Sequence, residues 1–304
     1  MYISFNEGES WEPFQLNLPH TPITDMLVYR NDLGISTQGR AFWILDDISP
    51  LHDEGFGGNA NEPYLFSPRT AYRPQLRGFR GGSAPKSAPR GASMYFYMPE
   101  EKLSDLVKLV VKEKDGTLIR SFSTQPEKAS REGKLSPRAG LNRYIWDLKY
   151  PRVDLQKGAF MSLANTGGAW AAPGTYIIEM EVGDQSLTTE LTIKADPRWE
   201  ASEEDLQEQF RLTREVQKSL EEIHQNIGKI RSIKKQSQET AKRAVRAGFD
   251  KSLVVMAEEM GSKLTEIEEE LIQVRNESSQ DPINYPPRLD DQFAYLYSTV
   301  NSLL

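Results

Sequence analysis

Ser4-Phe5-Asn6-Glu7-Gly8-Glu9-Ser10-Trp11 is the stretch from which the reading of this chain starts. It sets a short polar side chain, a glycine and a tryptophan at fixed offsets between residues 2–5 and 11–15, two runs with the look of small β-strands. The Asn6 side chain can bond backbone amides across a tight hairpin, and Gly8 can take the positive φ that the turn needs. Trp11 can cover the turn. Three more strands are expected at 23–29, 33–37 and 41–45, with Asn31-Asp32 and Gly39 marking the turns.

Further along, residues 51–92 turn to Gly, Pro, Arg and Ser and read as a linker along a surface. The arginines at 69, 73, 77 and 80 are expected to be solvated there, with anion binding as the alternative. From 93 to 198 the pattern is β again: strands are expected at 94–97, 106–111, 118–122, 142–148, 174–182 and 186–193. Asp115-Gly116 and Gly183-Asp184 mark hairpin turns. Six or seven short strands at this spacing indicate a β-sandwich, with Trp146 as a buried core residue or, alternatively, a sugar-stacking one.

Helical periodicity takes over from 199 to 304. Ser202 and Asp205 mark a helix start, and an apolar stripe runs from Leu206 to Ile233. A second stripe, Leu253, Met256, Met260, Leu264, Ile267, Leu271 and Val274, is spaced near the coiled-coil period. Gly248 separates the two stripes, whose lengths nearly match, so a long antiparallel hairpin is expected. Pro286-Pro287 precedes a third helix bearing Leu289, Phe293, Leu296, Val300 and Leu303.

Composition limits the functions open to such a chain. It has 304 residues, a net charge of −7 and no cysteine, which removes disulfides and thiolate chemistry. Mild acidity disfavours nucleic acid as a partner. No run approaches the about 20 apolar residues of a membrane-spanning helix, and the first residues lack the layout of a signal peptide.

The opening stretch resembles the Asp box, S-x-D-x-G-x-[ST]-W, with asparagine at the acidic position: Ser4, Asn6, Gly8, Ser10 and Trp11. The run Thr37-Gln38-Gly39-Arg40-Ala41-Phe42-Trp43-Ile44-Leu45-Asp46-Asp47 resembles the final-blade pattern T-x-G-R-G-[FY]-W-[IV]-L-D-D, with Ala41 in place of a glycine. Both belong to a bacterial family of large Asp-box (BNR) repeat β-propeller proteins described as sortilin-like or glycosyl-hydrolase-like. The likeness continues through Trp146-Asp147-Leu148-Lys149-Tyr150-Pro151, Ala172-Pro173-Gly174-Thr175-Tyr176, Asp196-Pro197-Arg198 and Tyr285-Pro286-Pro287-Arg288-Leu289. The middle region is also similar to the immunoglobulin-like module of the flagellar hook-capping protein.

The resemblance implies a multidomain β + α chain. Incomplete propeller blades (1–50) are followed by the linker (51–92), an immunoglobulin-like sandwich (93–198) and a helical hairpin or three-helix bundle (199–304). It implies an extracytoplasmic location, upstream propeller blades as neighbours, and a protein, peptide or glycan as partner. The function expected is a non-catalytic structural or interaction region. The alternative is a fragment of a carbohydrate-active, sialidase-like enzyme whose active site lies in upstream blades.

Chemical motifs add little. His20, His52 and His224 lack metal-ligand spacing. Asp46 and Asp47 are adjacent, and on a strand they point to opposite faces. No phosphate-binding glycine loop follows a strand and opens a helix. The reading therefore expects no catalytic residue, no cofactor and no metal. The basic run from Lys229 to Arg246 is expected to be a solvated helix end, with docking on an acidic membrane or partner as the alternative.

Overall fold

The computed structural model describes residues 1–53, 55, 61–73, 90–126, 133–161, 164–248, 251–278 and 280–302, which form mixed β-sheets followed by three helices. At the N-terminus, β1 (Tyr2–Ile3) and β2 (Glu12–Pro13) make an antiparallel hairpin. A separate antiparallel sheet holds β3 (Ile23–Tyr29), β4 (Asp32–Thr37) and β5 (Phe42–Leu45), in that order. Tyr29 pairs with Asp32, and the two residues between them, Arg30 and Asn31, take φ of 51° and 62°. Positive φ at both positions matches the twist of the flanking strands, which is why this turn suits a two-residue hairpin.

Among the described residues, nine strands build the middle of the molecule. They are β6 (Tyr64–Leu65), β7 (Ala71–Arg73), β8 (Ala92–Met98), β9 (Val107–Glu113), β10 (Leu118–Ser123), β11 (Gly133–Lys134), β12 (Gly140–Trp146), β13 (Gly174–Val182) and β14 (Gln185–Ala195). One sheet runs β11-β10-β9-β13-β14-β7 and another β12-β8-β6. The two short strands β6 and β7 correct part of the linker expectation. β6 pairs with β8, and β7 runs parallel to β14. Edge strands this short can form wherever a neighbour offers unpaired backbone groups, whatever the local composition. Positions 54, 56–60 and 74–89, including Arg77, Arg80 and the Gly81-Gly82 pair, lie outside the described residues.

Both sheets feed one apolar cluster. In β13, Tyr176, Ile178, Met180 and Val182 are buried while the residues between them are more exposed, the period-two signature of a strand with one face in the core. Phe96 and Met98 of β8 and Trp146 of β12 join them from the other sheet. Trp146 is fully buried; its Nε1 donates to the Lys149 carbonyl at 3.0 Å, and its ring meets Tyr176 edge-on with centroids 5.6 Å apart. Such a tryptophan offers no face to a sugar.

The three helices are α1 (Glu203–Arg246), α2 (Ser252–Leu271) and α3 (Leu289–Ser302). Ser202 and Asp205 form a reciprocal capping box that satisfies two donors at the start of α1. Phe210 packs against the β core; farther along, Leu220, Ile223 and Ile227 are buried beneath α3, Ile272 and the segment around Val153–Met161.

Two helical expectations change. The hairpin arms are unequal, 44 residues in α1 against 20 in α2. Apart from Leu271, which packs on Ile223 and Ile227, the stripe on α2 does not face α1 either: Val254, Ala257, Gly261 and Thr265 lie beside α1 instead, and buried Glu268 accepts from Arg231 at 2.6 Å and Lys234 at 3.0 Å. A buried carboxylate with two cationic partners fixes the rotation of α2 more firmly than an apolar stripe with nothing opposite. In α3 the buried apolar residues are Ala294 and Tyr297, Asp290 and Asp291 are buried at its start, and Leu296 is exposed.

Candidate functional site

The N-terminal hairpin is held by its own side chains. Ser10 N–H donates to Asn6 Oδ1 at 2.9 Å, and Asn6 Nδ2 donates to Ser10 Oγ at 2.9 Å. Ser4 Oγ accepts from the Gly8 amide at 2.8 Å. Gly8 takes φ of 93°, and Trp11 lies over it, its Nε1 donating to the Gly8 carbonyl at 3.0 Å. Asparagine serves here because its carbonyl oxygen accepts the amide as a carboxylate oxygen would, while its NH₂ adds a donor. Trp11 nevertheless leaves most of its surface to solvent.

The same device recurs in the second motif. Trp43 Nε1 donates to the Arg40 carbonyl at 2.9 Å, again three residues back. Gly39 has φ of 79°, and Ala41, standing at the glycine of the family pattern, has φ of 59°. Arg40 and Phe42 are exposed and Asp46 is half-buried. Asp47 lies past the end of β5 with φ of 64°, so strand alternation does not govern it.

Asp47 is buried and accepts from the Ser49 hydroxyl at 2.6 Å, while its own N–H donates to Asp32 Oδ1 at 2.9 Å. Arg69 ties the two carboxylates together, with Nη1 at 3.0 Å from Asp32 and Nε at 3.7 Å from Asp47. Tyr95 and Arg143 hydrogen-bond to each other close by; burial pushes the Tyr95 phenol up, against the pull of Arg143. This group joins the β3–β5 sheet to the core. Each carboxylate is committed to a cation or a backbone amide, so the group has no free acid and base facing a common space.

Arg73 departs from the solvated expectation more sharply. It is buried, its Nη2 donates to Gln209 Oε1 at 2.7 Å, and its guanidinium lies 5.5 Å from the centre of the Trp199 ring. Burial lowers its pKa to about 10.

Between the hairpin, one face of β3–β5 and the core sheet runs a groove of about 1200 Å³, lined by Tyr2, Phe5, Phe14, Met26, Val28 and Leu141 among others. Its walls are mostly apolar. His52 and Asp53 are its main ionisable groups besides Glu7 and Glu12.

Elsewhere, chemistry is sparse. His20 and His52 are exposed and far apart in sequence, whereas His224 is buried, with Nδ1 accepting from the Gln156 amide at 3.3 Å. Burial, aided by Arg231, lowers the His224 pKa to about 4, so it is a neutral packing group. Among the described residues no group of three or more His, Cys, Asp or Glu side chains can hold a metal ion. No helix among them is long and apolar enough to cross a membrane.

The sequence reading placed β3 but missed how exposed it is. Met26-Leu27-Val28-Tyr29 is a continuous apolar run, the pattern of a strand covered on both faces. All four side chains are between 56% and 66% exposed. On one face the register lines up Met26, Ile35 and Trp43; on the other it lines up Leu27, Gly34 and Ile44, with Tyr29 and Phe42 flanking. No family of known proteins, no curated protein and no solved structure matches this chain.

Proposed function

We propose that this chain is the non-catalytic structural and interaction region of a larger, extracytoplasmic Asp-box β-propeller protein of the sortilin-like kind, and that β3–β5 are a blade packed between neighbouring blades. The observation that carries the reading is β3: its sequence is that of a strand buried on both faces, yet Met26 to Tyr29 are more than half exposed. An exposed apolar patch of this kind marks an interaction surface. The β1–β2 hairpin beside the groove supports the same arrangement, because two residues per strand cannot hold a sheet alone and the turn carries the Asp-box bonding pattern. Sheets packed face to face bury such patches at a spacing of about 10 Å.

The middle region is read as the immunoglobulin-like module. Supporting this, Tyr176 near the start of β13 donates to the Ala172 carbonyl at 2.8 Å while packing against buried Trp146, the pairing of a corner tyrosine and a core tryptophan found in such sandwiches. In this arrangement it is a rigid spacer between the propeller and the helices, and the partner is a protein or peptide.

Reading the coding sequence immediately upstream tests the proposal. In-frame repeats of the Ser4–Trp11 pattern are expected, and their absence overturns it. Assay of the chain on sialosides and aryl glycosides is expected to show no turnover; turnover would instead favour the carbohydrate-active alternative.

A further inference from the structure

The outward stripe of α2 has the form of an interface. Leu253, Met256, Met260 and Ile267 are 39–64% exposed, with Leu264 half-buried among them. At 3.6 residues per turn this stripe lies about 100° around the helix from the Val254–Ala257–Gly261–Thr265 face beside α1. A helix with two contact faces a quarter-turn apart is one that packs on two neighbours. Here α2 has one. The antiparallel register set by Arg231 and Lys234 on Glu268 turns exposed Ile233 of α1 to the same side.

Charge identifies the second neighbour. From Lys229 to Arg246, α1 carries seven basic side chains against Glu239 alone, whereas α2 carries six acidic side chains against Lys263 alone. The hairpin is therefore a basic rod lying beside an acidic one, with an apolar seam along one side.

We infer that the α1–α2 hairpin associates with a second copy of this chain through the Leu253–Ile267 stripe, forming a four-helix bundle. A two-fold axis parallel to the hairpin lays α2 of each copy across α1 of the other, antiparallel, and each acidic row then meets a basic row. Stacking α2 on α2 would instead oppose like charges. The surface is self-complementary in apolar pattern and in charge at once, as an interface with two-fold symmetry must be.

Sedimentation equilibrium of the full chain over a wide concentration range tests this. A reversible dimer is expected, weakened by added salt because part of its attraction is between exposed charges. The double variant Met256→Glu/Met260→Glu should raise the dimer Kd by about tenfold or more, since each dimer would bury unpaired carboxylates. Its circular dichroism should be unchanged, both side chains being exposed in the single copy. Glu259→Lys/Glu266→Lys and Lys229→Glu/Arg243→Glu should each be monomeric alone and dimeric when mixed. A monomer at every concentration overturns the inference. So does a dimer that survives Met256→Glu/Met260→Glu, or one lost through Leu27→Ser/Ile44→Ser, which would place the contact on the β3–β5 sheet.

Discussion

Arg69 Nη1 lies 3.0 Å from Asp32 Oδ1, across 37 positions of sequence, and its Nε lies 3.7 Å from buried Asp47. One guanidinium thus spans the β3–β4 turn and the segment after β5, and it comes from the stretch between the N-terminal sheet and the core. The sheet is therefore pinned by a polar clasp, while the apolar side chains Met26 to Tyr29 of β3 stay more than half exposed.

Arg69→Ala should loosen that sheet by about 1–3 kcal/mol, the cost of leaving a buried acceptor without its cation. Limited proteolysis reports it: cleavage within residues 1–53 is expected to quicken while the main melting transition stays in place. An equal loss of protection in the core would mean that the clasp supports the whole molecule.

Trp146→Ala should destabilise the β core by about 3–5 kcal/mol, the range for truncating a buried aromatic ring. Besides leaving a cavity, it removes the bond to the Lys149 carbonyl and the contact with Tyr176. Chemical denaturation measures the change; an unaltered midpoint would contradict the placement of this side chain.

Local signals in the sequence marked most of the strands and helix boundaries, because those are set by alternation, turn residues and caps. The turn between β3 and β4, marked by Asn31-Asp32 and formed one position earlier at Arg30–Asn31, the Gly183–Asp184 turn, the Ser202 capping box and the break before α3 all follow from neighbours within a few positions. The residues missed depend on distant partners. Arg69 and Arg73 read as solvated because nothing nearby pairs with them; Asp32 and Gln209 do so only in the fold. The rotation of α2 was equally hidden, since the apolar stripe is conspicuous in sequence and the Glu268 contact with Arg231 and Lys234 is not. For the candidate site, the bonding of Asn6 and Trp11 was legible, but the bareness of β3 was not, because a pattern that demands cover does not say where the cover is.

Glu268→Ala should separate the arms of the helical hairpin. Burial raises the carboxyl's pKa, but hydrogen bonds from Arg231 and Lys234 outweigh it and hold the group below its ordinary value. The stability it contributes is present above the usual carboxylate range and is lost as pH falls through its lowered folded value. The variant should therefore lose helicity near neutral pH, by about 1–3 kcal/mol, and differ little from the parent in strong acid. Circular dichroism as a function of pH checks both parts.

Asp290 behaves in the opposite sense. Burial, reinforced by the neighbouring Asp291 charge, raises its pKa to about 7, against the pull of the Asp291 amide and Arg231. The folded state thus binds a proton that the unfolded chain releases, and the stabilisation from that proton is lost as pH rises through about 7. Asp290→Asn fixes the neutral form and keeps the acceptor for the Asp291 amide. Its melting temperature should exceed the parent's at pH above 7, by several degrees for a difference on the order of 1–3 kcal/mol, and the gap should close on acidification. A constant gap at all pH would show that Asp290 is ionised throughout.

The claim that β3–β5 form an incomplete blade is tested most directly by amide hydrogen exchange on the chain alone, followed strand by strand. Fast exchange is expected in β3–β5, where the β3 side chains are more than half exposed and the sheet edges are open, against strong protection in β9 and β13. Protection of β3–β5 equal to that of β9 and β13 would show that the sheet is complete as it stands, and would contradict the proposal that neighbouring blades belong on its faces.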